Sequence, residues 1–329
     1  MSTPALLEVS HLHRRFGDTT VLHDINFSIG PGQVVGFLGP NGAGKSTTMR
    51  LISGNLAPTG GTITLGGYDL QRQPLTARHQ FGYLPDTPPL YRDYRVDEFL
   101  HFCGRLHQLA GRKLKLAAEL AVERCGLTEV TDKLIGHLSK GYQQRVGIAQ
   151  AIIHEPPLVI LDEPTIGLDP RQIEEIRQLI RELGQQHSIL LSTHILSEVQ
   201  AVCSHVQIIN AGRLVLQGAL ADLQAENGAT YLLRFQQPVD SDSLKELTDV
   251  VSCRAGTTTG QIEITLADTD RAVDQLLQQC ATRGWKLRQL SPTSQSLEQL
   301  FLQITSQDGA ALAEPDNDPD QPIPKEQQE

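Results

Sequence analysis

Val34-Val35-Gly36-Phe37-Leu38-Gly39-Pro40-Asn41-Gly42-Ala43-Gly44-Lys45-Ser46-Thr47 is the stretch on which the fold of this chain turns. Its first five residues form a short, mostly apolar run that suits a strand buried in a parallel sheet. A Gly-rich loop follows, and a helix is expected from about Lys45. Gly39 to Ser46 fits the pattern G-x-x-x-x-G-K-[ST] in the required order of strand, loop and helix. Glycines let backbone N–H groups converge on the β- and γ-phosphates of a nucleotide, and the following helix presents its positive end there. Lys45 adds a point charge, and the Ser46 hydroxyl is suited to ligate Mg²⁺. Gly39, Pro40, Asn41, Gly42, Ala43, Gly44, Lys45, Ser46 and Thr47 are therefore the candidates for nucleotide binding.

Upstream, Leu7 and Val9, then Ile25, Phe27 and Ile29, alternate with polar neighbours as half-buried strands do. Gly60-Gly61 and Gly66-Gly67 bracket a further short strand over 62–65. Residues 91–136 have few β-branched side chains and apolar positions at helical spacing, which predicts an inserted helical subdomain. The pattern continues with a helix over 143–153, a strand over 158–161, a helix over 172–183, a strand over 189–191 and a hairpin over 206–216. Strands alternating with helices predict a mostly parallel sheet covered on both faces.

Beyond about Asn227 the pattern starts afresh. Strands are expected over 231–235, 262–266 and 285–290. Ala272, Val273, Leu276, Leu277 and Cys280 lie on one helical face. A last helix holds Leu297, Leu300, Phe301 and Ile304, with Ser296 and Gln299 at capping-box spacing. The division that follows is a first domain over 1–227, a small α/β domain over 228–306, and a disordered acidic, Pro-rich tail over 307–329.

Composition excludes several function classes. The formal charge is −10, and seven acids with one Lys from Asp308 onward account for six of those charges. An acidic chain is a poor nonspecific binder of nucleic acid, which needs Lys and Arg against phosphates. Five scattered cysteines with no CxxC spacing indicate neither a disulfide framework nor a zinc site. No run approaches the ~18 apolar residues of a spanning helix, and Met1 to Glu8 lacks the pattern of a secretory signal, so a cytoplasmic location is expected.

A second chemical element is the hydrophobic run Leu158-Val159-Ile160-Leu161 ending in Asp162-Glu163. Successive side chains of a strand diverge, so one acid can face a metal and the other the attacking water. Asp162 suits Mg²⁺, through water ligands, and Glu163 suits polarising the nucleophile.

Leu138-Ser139-Lys140-Gly141-Tyr142-Gln143-Gln144-Arg145 resembles the LSGGQ signature of the ATP-binding-cassette ATPases. With the two motifs above it gives a resemblance over roughly residues 5–225. The fold this implies is α/β: a P-loop NTPase cassette with a mostly parallel sheet core, an antiparallel β subdomain and an inserted helical subdomain. The resemblance also implies a dimer of two copies around two MgATP, in which Ser139 and Gly141 contact the γ-phosphate held by the opposite copy. Phe16 matches the aromatic that stacks on adenine. Asp169, in Ile166-Gly167-Leu168-Asp169, matches the loop that meets its counterpart across the dimer. His194 matches the histidine that touches the γ-phosphate, so that Glu163, His194 and Lys45 form the catalytic set.

Asp86 departs from the family pattern, which has Gln at this position. Asp keeps an oxygen for Mg²⁺ but is shorter and charged, and either direct ligation or a water bridge is open to it. Phe81 to Tyr91, the LSKGY variant and Ser296 to Phe301 are similar to a branch of exporter ATPases serving drugs, polysaccharides and gliding motility. That resemblance implies a multispanning membrane permease as partner, with this chain peripheral on the inner face of the membrane. A soluble cassette acting on ribosomes or DNA, and an importer ATPase, are the alternatives.

Overall fold

The computed structural model describes residues 4–226, 229–237, 239, 243–244, 247, 250–255, 261–266 and 269–292. Three strands with no exposed residue, β3 (Val34–Leu38), β7 (Leu158–Asp162) and β8 (Ser188–Thr193), lie side by side and parallel. Backbone that is dry on both faces needs ladder partners on both edges. β6 (Phe81–Leu84) supplies one, parallel to β7, and β9 (His205–Asn210) the other, parallel to β3. β10 (Arg213–Ala219) returns antiparallel to β9, giving the order β10-β9-β3-β8-β7-β6.

Alternation along β7 divides its side chains between two cores. Val159 and Leu161 join the cluster that contains Val96, Phe99, Leu100 and Ile148, whereas Leu158 and Ile160 join the one with Phe37, Met49 and Leu51. The first cluster is shared with the predicted helical insert: α3 (Val96–Leu106), α4 (Gly111–Arg124) and two short 3-10 turns, followed by α5 (Lys140–Ile152). The second is shared with α1 (Lys45–Ile52), and with an antiparallel sheet. That sheet joins β1 (Leu7–Phe16), β2 (Thr19–Ile29), β4 (Gly60–Leu65) and β5 (Tyr68–Asp69) in the order β2-β1-β4-β5. The short α2 (Pro74–Arg78) precedes β6. α6 (Pro170–Leu183) follows β7, and α7 (Leu196–Val202) follows β8.

α8 (Leu220–Glu226) ends the first part of the chain. A third sheet follows, wholly antiparallel, in the order β12-β13-β11-β14: β11 (Ala229–Phe235), β12 (Val250–Ala255), β13 (Gln261–Leu266) and β14 (Leu287–Pro292). With α9 (Thr269–Thr282) it builds its own core around Leu233, Ile264, Leu266, Ala272, Leu276 and Cys280. The expected final helix around Leu297 to Ile304, its capping residues and the acidic tail lie outside the described residues. Among the described residues, no helix is long and apolar enough to cross a membrane.

Several boundaries differ from the sequence expectation. Gly60 and Gly61 belong to β4 rather than bracketing it: Gly60 pairs with His13 across a bulge, and Gly61 has φ 89° with its face against the His11 backbone. α5 starts three residues early because the Ser139 hydroxyl accepts from the Tyr142 N–H and caps it. Trp285 is not in a strand. Its N–H donates to the Cys280 carbonyl in the turn that ends α9, so β14 begins only at Leu287.

Candidate functional site

The loop between β3 and α1 is shaped by what glycine permits. Gly44 has φ 107° at the N-cap of α1, a conformation closed to other residues without strain, and a Cβ at Gly39 would strike the Ile209 carbonyl. No side chain caps α1, so its first N–H groups remain directed at the loop. Lys45 is buried beneath: Nζ donates to the carbonyls of Gly39 at 2.9 Å and Pro40 at 3.3 Å, and lies 3.6 Å from Glu163 Oε1. Asn41, Gly42 and Ser46 are exposed, Pro40 and Thr47 half-buried, and Ala43 buried. The result is a concave anion site with a cation at its floor.

Parity sets Asp162 on the same side of β7 as Leu158 and Ile160, which is the α1 side. It is 2% exposed, and its Oδ1 has no hydrogen-bond partner among the described residues. Burial pushes its carboxyl up to about 6, reinforced by the charges of Asp86 and Glu163 against the opposing pull of Ser192 and Lys45. An orphaned, desolvated carboxylate oxygen is the donor that a hard divalent cation prefers. Burial first, and then the charges of Asp162 and Asp86, raise the neighbouring Tyr83 phenol to about 12.

This raised pKa carries a stability consequence. The folded state holds the Asp162 proton more tightly than the unfolded chain does. The group is therefore neutral and harmless below pH ~4, and ionising it costs stability progressively as pH rises through 6. Asp162→Asn should raise the melting temperature of metal- and nucleotide-free protein at pH 7.5 by about 2–6 °C, from roughly 1–3 kcal/mol of relieved desolvation. Thermal melts in chelator check this, and the gap between variant and wild type should close by pH 4.

Glu163 leaves the strand in the left-handed region, φ 49°, held by its N–H to the Ser192 carbonyl at 2.9 Å. This turn sends its carboxylate toward Lys45 on one side and His194 on the other, with Oε2 2.8 Å from His194 Nδ1. The His194 side chain is 40% exposed, so the ring keeps an open edge. Lys45, Asp162, Glu163 and His194, predicted from separate segments, thus gather at one end of the parallel strands.

The other candidates fall elsewhere. Ser139, Gly141 and Asp169 line a cavity of about 430 Å³ with Tyr142, Arg145 and Arg171, to which the four residues above contribute nothing. Asp169 caps α6 by accepting from the Gln172 N–H at 2.9 Å. Arg145 and Arg171 are paired there with Glu175, at 2.8 and 3.3 Å, so it is the Ser139-capped N-terminus of α5 that suits the cavity as a second anion site. Asp86 is exposed, accepts from the Thr87 N–H at 2.7 Å, and borders a groove of about 510 Å³ with Pro88, Leu90, Arg92 and Gln143. Phe16 is 43% exposed, and the Arg14 guanidinium lies 4.4 Å from its ring centroid.

Sequence reasoning missed Glu198, which is 1% exposed and accepts from the hydroxyls of Thr165 and Thr193. Its only local signal is an acid one helical turn beyond His194.

Residues 22–166 match the family described as ABC transporter. The chain is 30% identical over 305 residues to the linearmycin resistance ATP-binding protein LnrL of Bacillus subtilis, covering 91% of this chain and 98% of that one. It is 30% identical over 311 residues to the bacitracin transport ATP-binding protein BcrA of Enterococcus faecalis, covering 93% and 98%. Among solved structures it is similar to cbiO1 of Clostridium perfringens, described as part of the ABC transporter complex cbiONQ. The TM-score is 0.62 with 31% identity, over 68% of this chain and 91% of that one.

Proposed function

Since this chain belongs to the ATP-binding-cassette ATPases, we propose that it hydrolyses MgATP as one half of a two-copy sandwich and drives export through a separate membrane permease. The observation that carries the hydrolytic reading is the gathering of Lys45, Asp162, Glu163 and His194 at one strand end. Phosphoryl transfer to water needs charge neutralisation and in-line positioning more than covalent help. Lys45 and the backbone of Gly39 to Thr47 bind the phosphates, and Phe16 stacks on the adenine, releasing Arg14 from that ring. Ser46 and Asp162 would hold Mg²⁺, with Asp86 joined directly or through a water. Bound there, Mg²⁺ would supply charge neutralisation to the nucleotide's phosphates. Glu163 orients and accepts a proton from the attacking water, and His194, held by Glu163, turns its free edge to the γ-phosphate.

The second anion site lies apart from the first in one copy. A partner copy facing it brings Ser139, Gly141 and Asp169 to the first copy's nucleotide, which is what supports the sandwich. The export direction rests on the resistance and transport functions of LnrL and BcrA. The permease is supported by the relatives, cbiO1 among them, which is described as part of an ABC transporter complex, and by the groove beside Asp86 and the helical insert. The inner face of the membrane is then the location. We assign the cassette to residues 1–227 and an accessory module to 228–306, on the strength of the latter's separate sheet and core.

The test is to purify the tagged chain from detergent-solubilised membranes of its own host. A polypeptide with several membrane spans should co-purify, and inside-out vesicles holding both should take up substrate with ATP. Recovery with ribosomes or DNA instead, and none with membranes, would sink the proposal.

A further inference from the structure

Glu198 is a carboxylate buried to 1% exposure that forms no ion pair among the described residues. Its two oxygens are used by different segments. Oε1 accepts from Thr165 Oγ1 at 2.5 Å, and Oε2 from Thr193 Oγ1 at 2.6 Å. Both threonines are buried, at 5% and 0% exposure. Both bonds lie at the short end of the range for O–H···O contacts. The Thr193 oxygen in turn accepts from the Ile195 N–H at 3.1 Å, which leaves that hydroxyl's proton for Glu198.

Thr165 lies two residues after Glu163, and Thr193 immediately before His194. On the opposite side, Glu163 and His194 meet directly at 2.8 Å. The two segments are therefore closed into a ring: Glu163, Thr165, Glu198, Thr193, His194 and back to Glu163. The ring includes the φ 49° backbone of Glu163, a conformation a non-glycine residue keeps only where its surroundings over-determine it. The Ile166 N–H to Glu163 carbonyl bond of 3.1 Å closes the turn between Glu163 and Thr165. The base is rigid too: α7, which carries Glu198, lies so close on β3 that a Cβ at Gly36 would come within 2.7 Å of Val199.

We infer that Glu198 is a positioning residue for hydrolysis: it fixes the two chain segments that present Glu163 and His194, and so sets the distance between them. This rests on the reading of Glu163 and His194 as the hydrolytic pair. It gives Glu198 no contact with nucleotide, so its loss acts on the rate of the chemical step and not on ATP affinity.

Thr165→Val and Thr193→Val each delete one hydroxyl at nearly constant shape, and full-length protein is assayed for MgATP hydrolysis well below its melting temperature. Each should lower kcat about 10-fold with KM changed by less than about 2-fold, because small misplacements of reacting groups act on turnover. Thr165→Ser and Thr193→Ser, which keep the hydroxyl, should recover most of the rate. Glu198→Gln, which keeps the shape but weakens the bonds, should lower kcat about 3-fold at unchanged KM, and serves if a Val variant fails to fold. A wild-type kcat in folded Val variants or in Glu198→Gln overturns the inference, as does a Ser variant as slow as its Val counterpart. Glu163→Gln is run beside them: a wild-type rate there removes the hydrolytic reading itself, whatever the threonines do.

Discussion

Glu163→Gln is expected to slow ATP hydrolysis by at least ~100-fold while leaving ATP binding and ATP-dependent dimers in place. The substitution is isosteric, so the fold and the strained turn are preserved. The amide oxygen still accepts a hydrogen bond, and Gln keeps a contact with His194 where the carboxylate stood at 2.8 Å. What disappears is the negative charge that can take a proton from water. The same charge lies 3.6 Å from Lys45 Nζ, so its removal leaves that cation wholly to the phosphates and should, if anything, tighten binding. Phosphate release gives the rate, and size-exclusion chromatography with MgATP gives the dimer. Hydrolysis at the wild-type rate would remove Glu163 from the mechanism.

Ser139→Asp should be nearly as damaging for a different reason. Asp caps a helix as well as Ser does, so α5 keeps its start and the melting temperature should stay within about 2 °C. ATP binding by a single copy should also be unaffected, since Ser139 lines a cavity separate from Lys45 and Glu163. On the proposed two-copy sandwich, however, the new charge would sit where the partner's γ-phosphate docks. A like charge in a desolvated interface costs several kcal/mol. The dimer peak should vanish even with MgATP, and turnover should fall about 100-fold. If the variant still dimerised and hydrolysed normally, the two-copy sandwich would be wrong although the single-copy site stood.

Which parts of this were legible in the sequence follows from how local each signal is. Gly39 to Thr47 and Leu158 to Glu163 each write a whole structural unit in consecutive residues, and the parity that turns Asp162 toward α1 can be counted from Leu158. β6 was less visible because Gly82 interrupts four residues that otherwise suit a strand. The structure shows why it must be Gly, since a Cβ there would collide with the Ala151 carbonyl of the overlying helix. Glu198 was legible only as an acid one turn beyond His194, which does not distinguish it from a surface residue. Its partner Thr165 is 33 positions away, and an acid in a short exposed-looking helix is the commonest of surface residues until the fold buries it. The Arg14 guanidinium on Phe16, by contrast, joins residues two apart on β1, the same-face spacing of a strand, and could be read from the pattern.

Val159 and Leu161 share one apolar cluster with Phe99 and Leu100 of the helical insert, and Asp162 ends the same strand, with Glu163 directly after it. Close-packed interiors are stiff, and transmit displacement rather than absorb it. A load applied to the insert therefore cannot be taken up by a loose hinge. It travels as torque through interlocked side chains into the strand tip, so that the lever arm and the trigger of this machine are one solid piece.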